Sequence, residues 1–240
     1  MNKLFLLALL AAFSIATIWM APYFGAAEYS EGIRALRLPR ATLAWFSGGA
    51  LAVAGVLMQT LLRNDLATPF TLGIASSASF GAFVCFAFPA ISATMWAPPL
   101  LGFICAIATI VLIIKLSSSN LGHNGILLVG ITINFVFGAA LMIVRHLAPP
   151  YRMTKLEHWL MGSIETSSFE PAWVVAAAAL LSLAIIWTKR HDLDQYSFDI
   201  KVAQARGVNI PKLMNVGLAT NGLLTAAVVT QCGPIAFIGL

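Results

Sequence analysis

The sequence predicts an all-α membrane protein, a polytopic helical bundle of about seven spans. Hydrophobic residues make up 60% of the 240 residues and charged residues only 10%, where a soluble domain carries about 25% charged residues. Mean hydropathy is +0.89. The apolar residues gather in long charge-free runs, each close to the about 20 residues a helix needs to cross a hydrocarbon core about 30 Å thick. The runs do not alternate, whereas a transmembrane barrel is built from strands of about ten alternating residues. Disorder is excluded too, because disordered segments are polar and rich in charge.

Seven runs qualify in chain order: Leu4–Met20, Leu43–Leu62, Phe70–Phe88, Ala97–Ile114, Gly125–Val144, Ala172–Thr188 and Leu213–Cys232. The first follows Lys3 in the manner of a signal peptide, but no soluble mature domain comes after it, so it reads as a span. The second and third are crowded with small residues: Gly48, Gly49, Ala50, Ala52, Ala54 and Gly55, then Ser76, Ser77, Ala78, Ser79 and Gly81. In the fifth, Gly130, Asn134 and Gly138 recur every four residues and share one helix face. Small residues let helix backbones approach closely in a membrane. This face serves helix packing or lines a pathway, and Gln59, Asn134 and Asn221 serve as interhelical hydrogen-bonding groups or pathway groups. Spacing leaves both open.

No Asp, Glu, Lys or Arg lies inside any run. Carriers driven by protons or ions keep an ionisable group within the membrane, so any pumping energy is expected to enter from outside it. With the N-terminus cytoplasmic, eight Lys and Arg fall inside and six outside, a slight lean under the positive-inside rule. The +5 net charge therefore belongs to loops and gives no nucleic-acid signal. Cys85, Cys105 and Cys232 and the four histidines are scattered without metal spacing, so neither metal nor cofactor is expected.

Four connecting segments carry information. Arg37-Leu38-Pro39-Arg40 precedes the second run, and proline suits a first helical turn. A helix starting there sets two arginines on one face near the positive dipole end, where cations are disfavoured unless an anion meets them. Lipid phosphate or an acidic protein partner fits. Gln59 to Gly73, with Arg63-Asn64-Asp65-Leu66-Ala67-Thr68-Pro69, is a tight polar turn. The long polar loop from Lys189 to Lys212 contains Ala203-Gln204-Ala205-Arg206-Gly207-Val208, a short helix stopped by Gly207. Tyr151–Glu170 is too short to span and is expected at the interface, with Trp159 as anchor.

Together with Leu72-Gly73-Ile74, Leu127–Asn134, Trp159-Leu160-Met161-Gly162-Ser163 and Gly233-Pro234-Ile235-Ala236-Phe237-Ile238-Gly239-Leu240, these segments resemble, in order, the permease family of ABC importers for iron chelates, haem and cobalamin. The resemblance spans nearly the whole chain as one transmembrane permease domain. It implies a second permease subunit, cytoplasmic ATP-binding subunits, an extracytoplasmic substrate-binding protein, and a bacterial inner-membrane location with a cytoplasmic N-terminus. Arg37 and Arg40 match arginines that meet acidic residues of the binding protein. Ala203 to Val208 match the helix that couples to the ATPase. Asp65 stands where the family usually has proline, and Ser77 where it usually has glycine. Family members continue through roughly three more spans, to about ten in all, so the chain is expected to be C-terminally truncated.

The function expected is the transmembrane permease of an ATP-driven importer, for ferric siderophore, working by alternating access. No GxxxxGK[ST] phosphate loop occurs, so ATP hydrolysis is assigned to a partner and the chain itself is not an enzyme. The alternatives are a secondary carrier or channel without an ATPase, or an inactive truncated remnant. A membrane-embedded enzyme lacks a convergent set of catalytic side chains on any span.

Overall fold

The structure, a computed structural model, describes residues 3–24, 30–88, 97–117, 122–149, 157 and 160–235. Among them are eight α-helices and no strand: α1 Lys3–Met20, α2 Glu31–Leu62, α3 Ile74–Ala87, α4 Ala97–Ser117, α5 Gly122–Leu147, α6 Glu170–Phe198, α7 Ile200–Ala205 and α8 Ile210–Cys232. Two 3₁₀ turns, Ala21–Tyr23 and Pro69–Leu72, follow α1 and precede α3. By length and apolar composition α2, α4, α5, α6 and α8 are each able to cross a membrane. The 18-residue α1 covers the first expected span. The chain is thus a multi-pass helical membrane protein.

Three sequence expectations change. The helix that carries the second span does not start near Pro39. Helix α2 begins at Glu31, where Ser30 Oγ accepts the Ile33 N–H, and Pro39 lies inside it. Glu31, Arg34, Arg37 and Arg40 interrupt the apolar run without interrupting the helix. Arg37 and Arg40 therefore sit beyond the first turn, where the dipole effect has faded, and the expected dipole penalty does not apply.

The third expected span, Phe70–Phe88, is broken. Pro69 opens a 3₁₀ turn that ends at Gly73, whose φ of 75° suits a residue without Cβ. The helix that restarts at Ile74 has 14 residues, about 21 Å of rise against the about 30 Å of a hydrocarbon core. Finally, much of the expected loop from Lys189 to Lys212 is helix. The sixth span continues as α6 to Phe198, with Lys189 paired to Asp192 at 3.2 Å and the Arg190 guanidinium 4.3 Å from the Trp187 ring centroid. Charge marks where the membrane ends, not where the helix does.

Helix α8 is the centre of the bundle, with 78% of its apolar window buried among α2, α3, α4 and α6. Its small and hydroxyl residues permit this: Gly217, Thr220, Gly222, Thr225, Ala226 and Ala227 are all buried. On α3 the small residues pack likewise. A Cβ on Gly81 would lie 2.6 Å from the Leu101 carbonyl oxygen, and one on Gly102 would lie 2.8 Å from that of Ala78. On α2 the stretch divides, with Ala50, Ala54 and Gly55 buried and open space beside Gly48 and Gly49.

Asn221, fully buried on α8, donates from Nδ2 to the Ala54 carbonyl oxygen of α2 at 2.6 Å, and Thr225 Oγ1 donates to the Asn221 carbonyl oxygen at 2.9 Å. Between Asn221's two readings, this is interhelical bonding. Asn221→Leu is expected to destabilise the bundle by about 1 kcal/mol, the scale of one such bond between membrane helices, read as a lower thermal midpoint in detergent. An unchanged midpoint would show that this bond contributes nothing.

Candidate functional site

The singled-out residues fall into three groups. The first surrounds the N-terminal half of α2. Arg34, Arg37 and Arg40 are three residues apart and brace two segments: the Arg34 guanidinium lies 5.9 Å from the Tyr23 ring centroid and Arg37 Nη1 donates to the Pro22 carbonyl oxygen at 3.2 Å, both on the turn after α1, while Arg40 Nε donates to the Thr166 carbonyl oxygen at 3.3 Å. Arg37 is half-buried and Arg40 exposed. A guanidinium has five N–H donors and keeps its charge, so a single bond to a carbonyl does not neutralise Arg37 or Arg40. Arg34 completes the series at a spacing visible in the sequence, while the bracing carbonyls carry no sequence signal.

The second group is at the other end. From Arg40 to Leu61, helix α2 rises about 32 Å, and beside Leu61 lie the end of α6, the short α7 and the start of α8. Asp199 caps α7, its Oδ1 accepting the N–H groups of Lys201 at 2.7 Å and Val202 at 3.0 Å. The backbone N–H groups of Val202 and Lys201 hold the Asp199 carboxyl below its ordinary range, and the Arg63 and Lys201 charges add to this. A lowered carboxyl favours the folded helix above the unfolded value near pH 4, and that contribution is lost as pH falls through the lowered one. At neutral pH the cap is intact.

Helix α7 closes on bonds from Gly207 N to Gln204 O at 2.9 Å and from Val208 N to Ala203 O at 3.0 Å, with Gly207 at φ 84°. Ala203 is buried, Val208 is partly buried against the core, and Gln204, Ala205, Arg206 and Gly207 face outward. Asn209 Oδ1 accepts the Lys212 N–H at 3.0 Å and caps α8. The short helix is thus held between the Asp199 cap and the cap of α8, with Lys201, Val202 and Gln204 to Gly207 exposed between them.

The third group lies between. Gln59 Nε2 donates to the Asp65 carbonyl oxygen at 3.0 Å and closes the turn after α2, where Arg63 adopts a left-handed φ of 49°. Asn134 Nδ2 donates to the Phe70 carbonyl oxygen at 3.0 Å. One turn away, a Cβ on Gly130 would lie 2.7 Å from Leu72 Cα and would overlap the Thr71 carbonyl oxygen. Gly130 and Asn134 therefore seat α5 on the 3₁₀ turn before α3. Gly138 does not join them: it is exposed, with open space beside it.

Gly130→Val is expected to cost about 1–3 kcal/mol by overpacking, because the atoms it meets are backbone and cannot swing aside. Gly138→Val is expected to leave the thermal midpoint unchanged. Equal midpoints for both would refute this assignment.

Ser163 N donates to the Cys232 carbonyl oxygen at 2.8 Å, so the segments around Gly162 and Gly233 meet in space. The expected Trp159 anchor lies outside the described residues, as do residues 236–240. Among the described residues there is no group of three His, Cys, Asp or Glu placed to hold a metal ion.

Sequence and structure comparisons agree with this architecture. The chain is 31% identical over 230 residues to the Fe(3+) dicitrate transport system permease protein FecD of Escherichia coli, covering 95% of this chain and 69% of that protein. It is 32% identical over 216 residues to the hemin transport system permease protein HmuU of Yersinia pestis, covering 85% and 63%. A solved structure described as an inward-facing conformation of a metal-chelate type ABC transporter superposes with a TM-score of 0.85 at 25% identity, covering 96% of this chain and 75% of that one. Two further ABC transporter permease relatives are matched over 62% and 61% of their length, so the chain spans about three-fifths of several relatives. The FecCD transport family model matches residues 3–240; on that match, and on the helical bundle that fits it, this chain belongs to the FecCD transport family.

Proposed function

We propose that the chain is the membrane-embedded permease part of an ATP-driven importer that moves ferric siderophore across the bacterial inner membrane by alternating access. The observation that carries this reading is α7: a short helix capped by Asp199 and closed at Gly207, exposing Gln204 to Gly207 at the end of the bundle opposite Arg37 and Arg40. A binding protein loaded with cargo docks at Arg37 and Arg40 on the outer side. Two ATP-binding subunits engage Ala203 to Val208 on the cytoplasmic side, the side of the N-terminus. A second permease subunit completes the path.

When ATP draws its subunits together, α7 moves with them. Because α7 is joined to α6 through Asp199 alone and to α8 through a four-residue turn, and α8 is packed on four neighbours, the motion reaches the bundle centre. Iron-bearing cargo is favoured by the Fe(3+) dicitrate and hydroxamate permeases among the relatives. The hemin and vitamin B12 permeases make haem and cobalamin the competitors.

The test is uptake by proteoliposomes holding the permease with its ATP-binding subunits, supplied with loaded binding protein. Uptake that requires ATP and persists after proton and sodium gradients are collapsed is the expected result. Uptake that follows the gradient and ignores ATP would establish the secondary-carrier reading instead. Running ferric hydroxamate, haem and cobalamin in parallel identifies the cargo.

A further inference from the structure

Tyr196 was not among the residues singled out from the sequence, yet its side chain is fully buried where three helices meet. It stands two residues before the end of α6 and three before Asp199, the cap of α7. Its hydroxyl donates to the Leu61 carbonyl oxygen of α2 at 2.9 Å and lies 3.6 Å from Met214 Sδ of α8. Leu61 is the next-to-last residue of α2, so its carbonyl is among those that end a helix without an intrahelical partner. Arg63 turns left-handed two residues later, and the Asn64 N–H bonds back to the Gln59 carbonyl rather than to that of Leu61. A phenol carries one proton, and here it goes to the end of α2.

We propose that Tyr196 is a positioning residue that makes α2 move with α7, through the bond from its hydroxyl to the Leu61 carbonyl. The inference rests on the importer reading. Helix α2 carries Arg37 and Arg40 near one end and Leu61 at the other, so a joint at Leu61 links the ATPase-facing helix to the docking face through a single helix. Met214 is the second neighbour of the hydroxyl and ties the same point to α8. Met214 and Tyr196 both belong to the buried cluster that includes Leu57, Leu61 and Leu213. Removing the hydroxyl therefore leaves the ring in that cluster and cuts the directional link to Leu61.

The test uses the assembled transporter with Tyr196→Phe, and with Tyr196 replaced by p-aminophenylalanine, which restores a donor at the same position. Three readings are taken: cargo imported per ATP hydrolysed, thermal midpoint, and the distance between spin labels at Lys201 and Leu36 with and without ATP. The phenylalanine variant is expected to lower the import ratio about tenfold, the scale of leaving one buried carbonyl unsatisfied. Its ATPase rate and ATPase association stay near those of the unaltered chain, and the label distance, constant there, changes with ATP. The amino variant restores the import ratio and the constant label distance.

An unaltered import ratio in the phenylalanine variant overturns the inference while leaving the importer reading standing. So does a lower midpoint or lost ATPase subunit with no change in label distance, since Tyr196 would then serve only the fold. If the unaltered transporter shows no ATP-dependent uptake, the importer reading fails first, and the inference falls with it.

Discussion

Replacing Arg206 and Gly207 together by glutamate is expected to abolish ATP-dependent uptake while leaving the chain folded in the membrane. Both residues are exposed on the turn that ends α7, and a Cβ on Gly207 would meet nothing within 4 Å. No clash therefore threatens the fold. The change acts in two other ways. Gly207 sits at φ 84°, where a side chain costs about 1–2 kcal/mol, so the turn holding Gln204 and Ala205 outward loosens. If this surface closes on the ATP-binding subunits as proposed, reversing the Arg206 charge adds about 2–5 kcal/mol, a factor of about 30 or more in affinity. Gly207→Ala alone reports the backbone part and Arg206→Glu alone the charge part. The measurements are ATPase co-purification, ATPase stimulation by loaded binding protein, and uptake. Full stimulation and full uptake in the double variant would end the assignment of α7 as the coupling element.

How much of this was legible in the sequence follows from what each feature depends on. The helical bundle and five of the seven expected spans were legible because apolar run length maps onto bilayer thickness. The short helix before Gly207 was legible because its stop signal is local. The start of α2 was not, since Ser30, a sound N-cap, is followed by four charged residues before the apolar run begins, and hydropathy discards that part of the helix. The break at Gly73 was written in Pro69 and Gly73 but hidden by the apolar residues around them.

Long-range partners were the least legible. Asn134 and Asn221 were recognised as groups with hydrogen bonds to make. Their acceptors, the backbone carbonyls of Phe70 and Ala54, are groups that every residue has, and sequence cannot say which one is near. Tyr196 was missed for the same reason. A tyrosine three residues before a polar helix cap looks like an interfacial side chain until Leu61 is placed beside it.

The same limit shapes the expected result at the other end. Reversing both Arg37 and Arg40 to glutamate is expected to weaken binding-protein docking about 100-fold or more, since like charges facing each other across an interface cost several kcal/mol. Sequence alone made charge the whole role of these arginines, and helix-dipole strain part of the reason. The structure removes the dipole and supplies a second role, because Arg37 holds Pro22 and Arg40 holds Thr166. A reversal therefore cuts two braces as well as changing sign.

Replacement of both by glutamine separates the roles, because glutamine keeps an N–H donor and loses the charge. If attraction to an acidic partner is what matters, the glutamine pair loses much of the affinity and most of its dependence on ionic strength. Its thermal midpoint stays close to that of the unaltered chain. If bracing is what matters, the glutamine pair docks nearly normally, the glutamate pair melts early, and added salt changes neither. Titrating loaded binding protein onto each variant at low and high salt, beside a melting curve for each, distinguishes the two. Docking of the glutamate pair at unaltered affinity would remove Arg37 and Arg40 from the interface altogether.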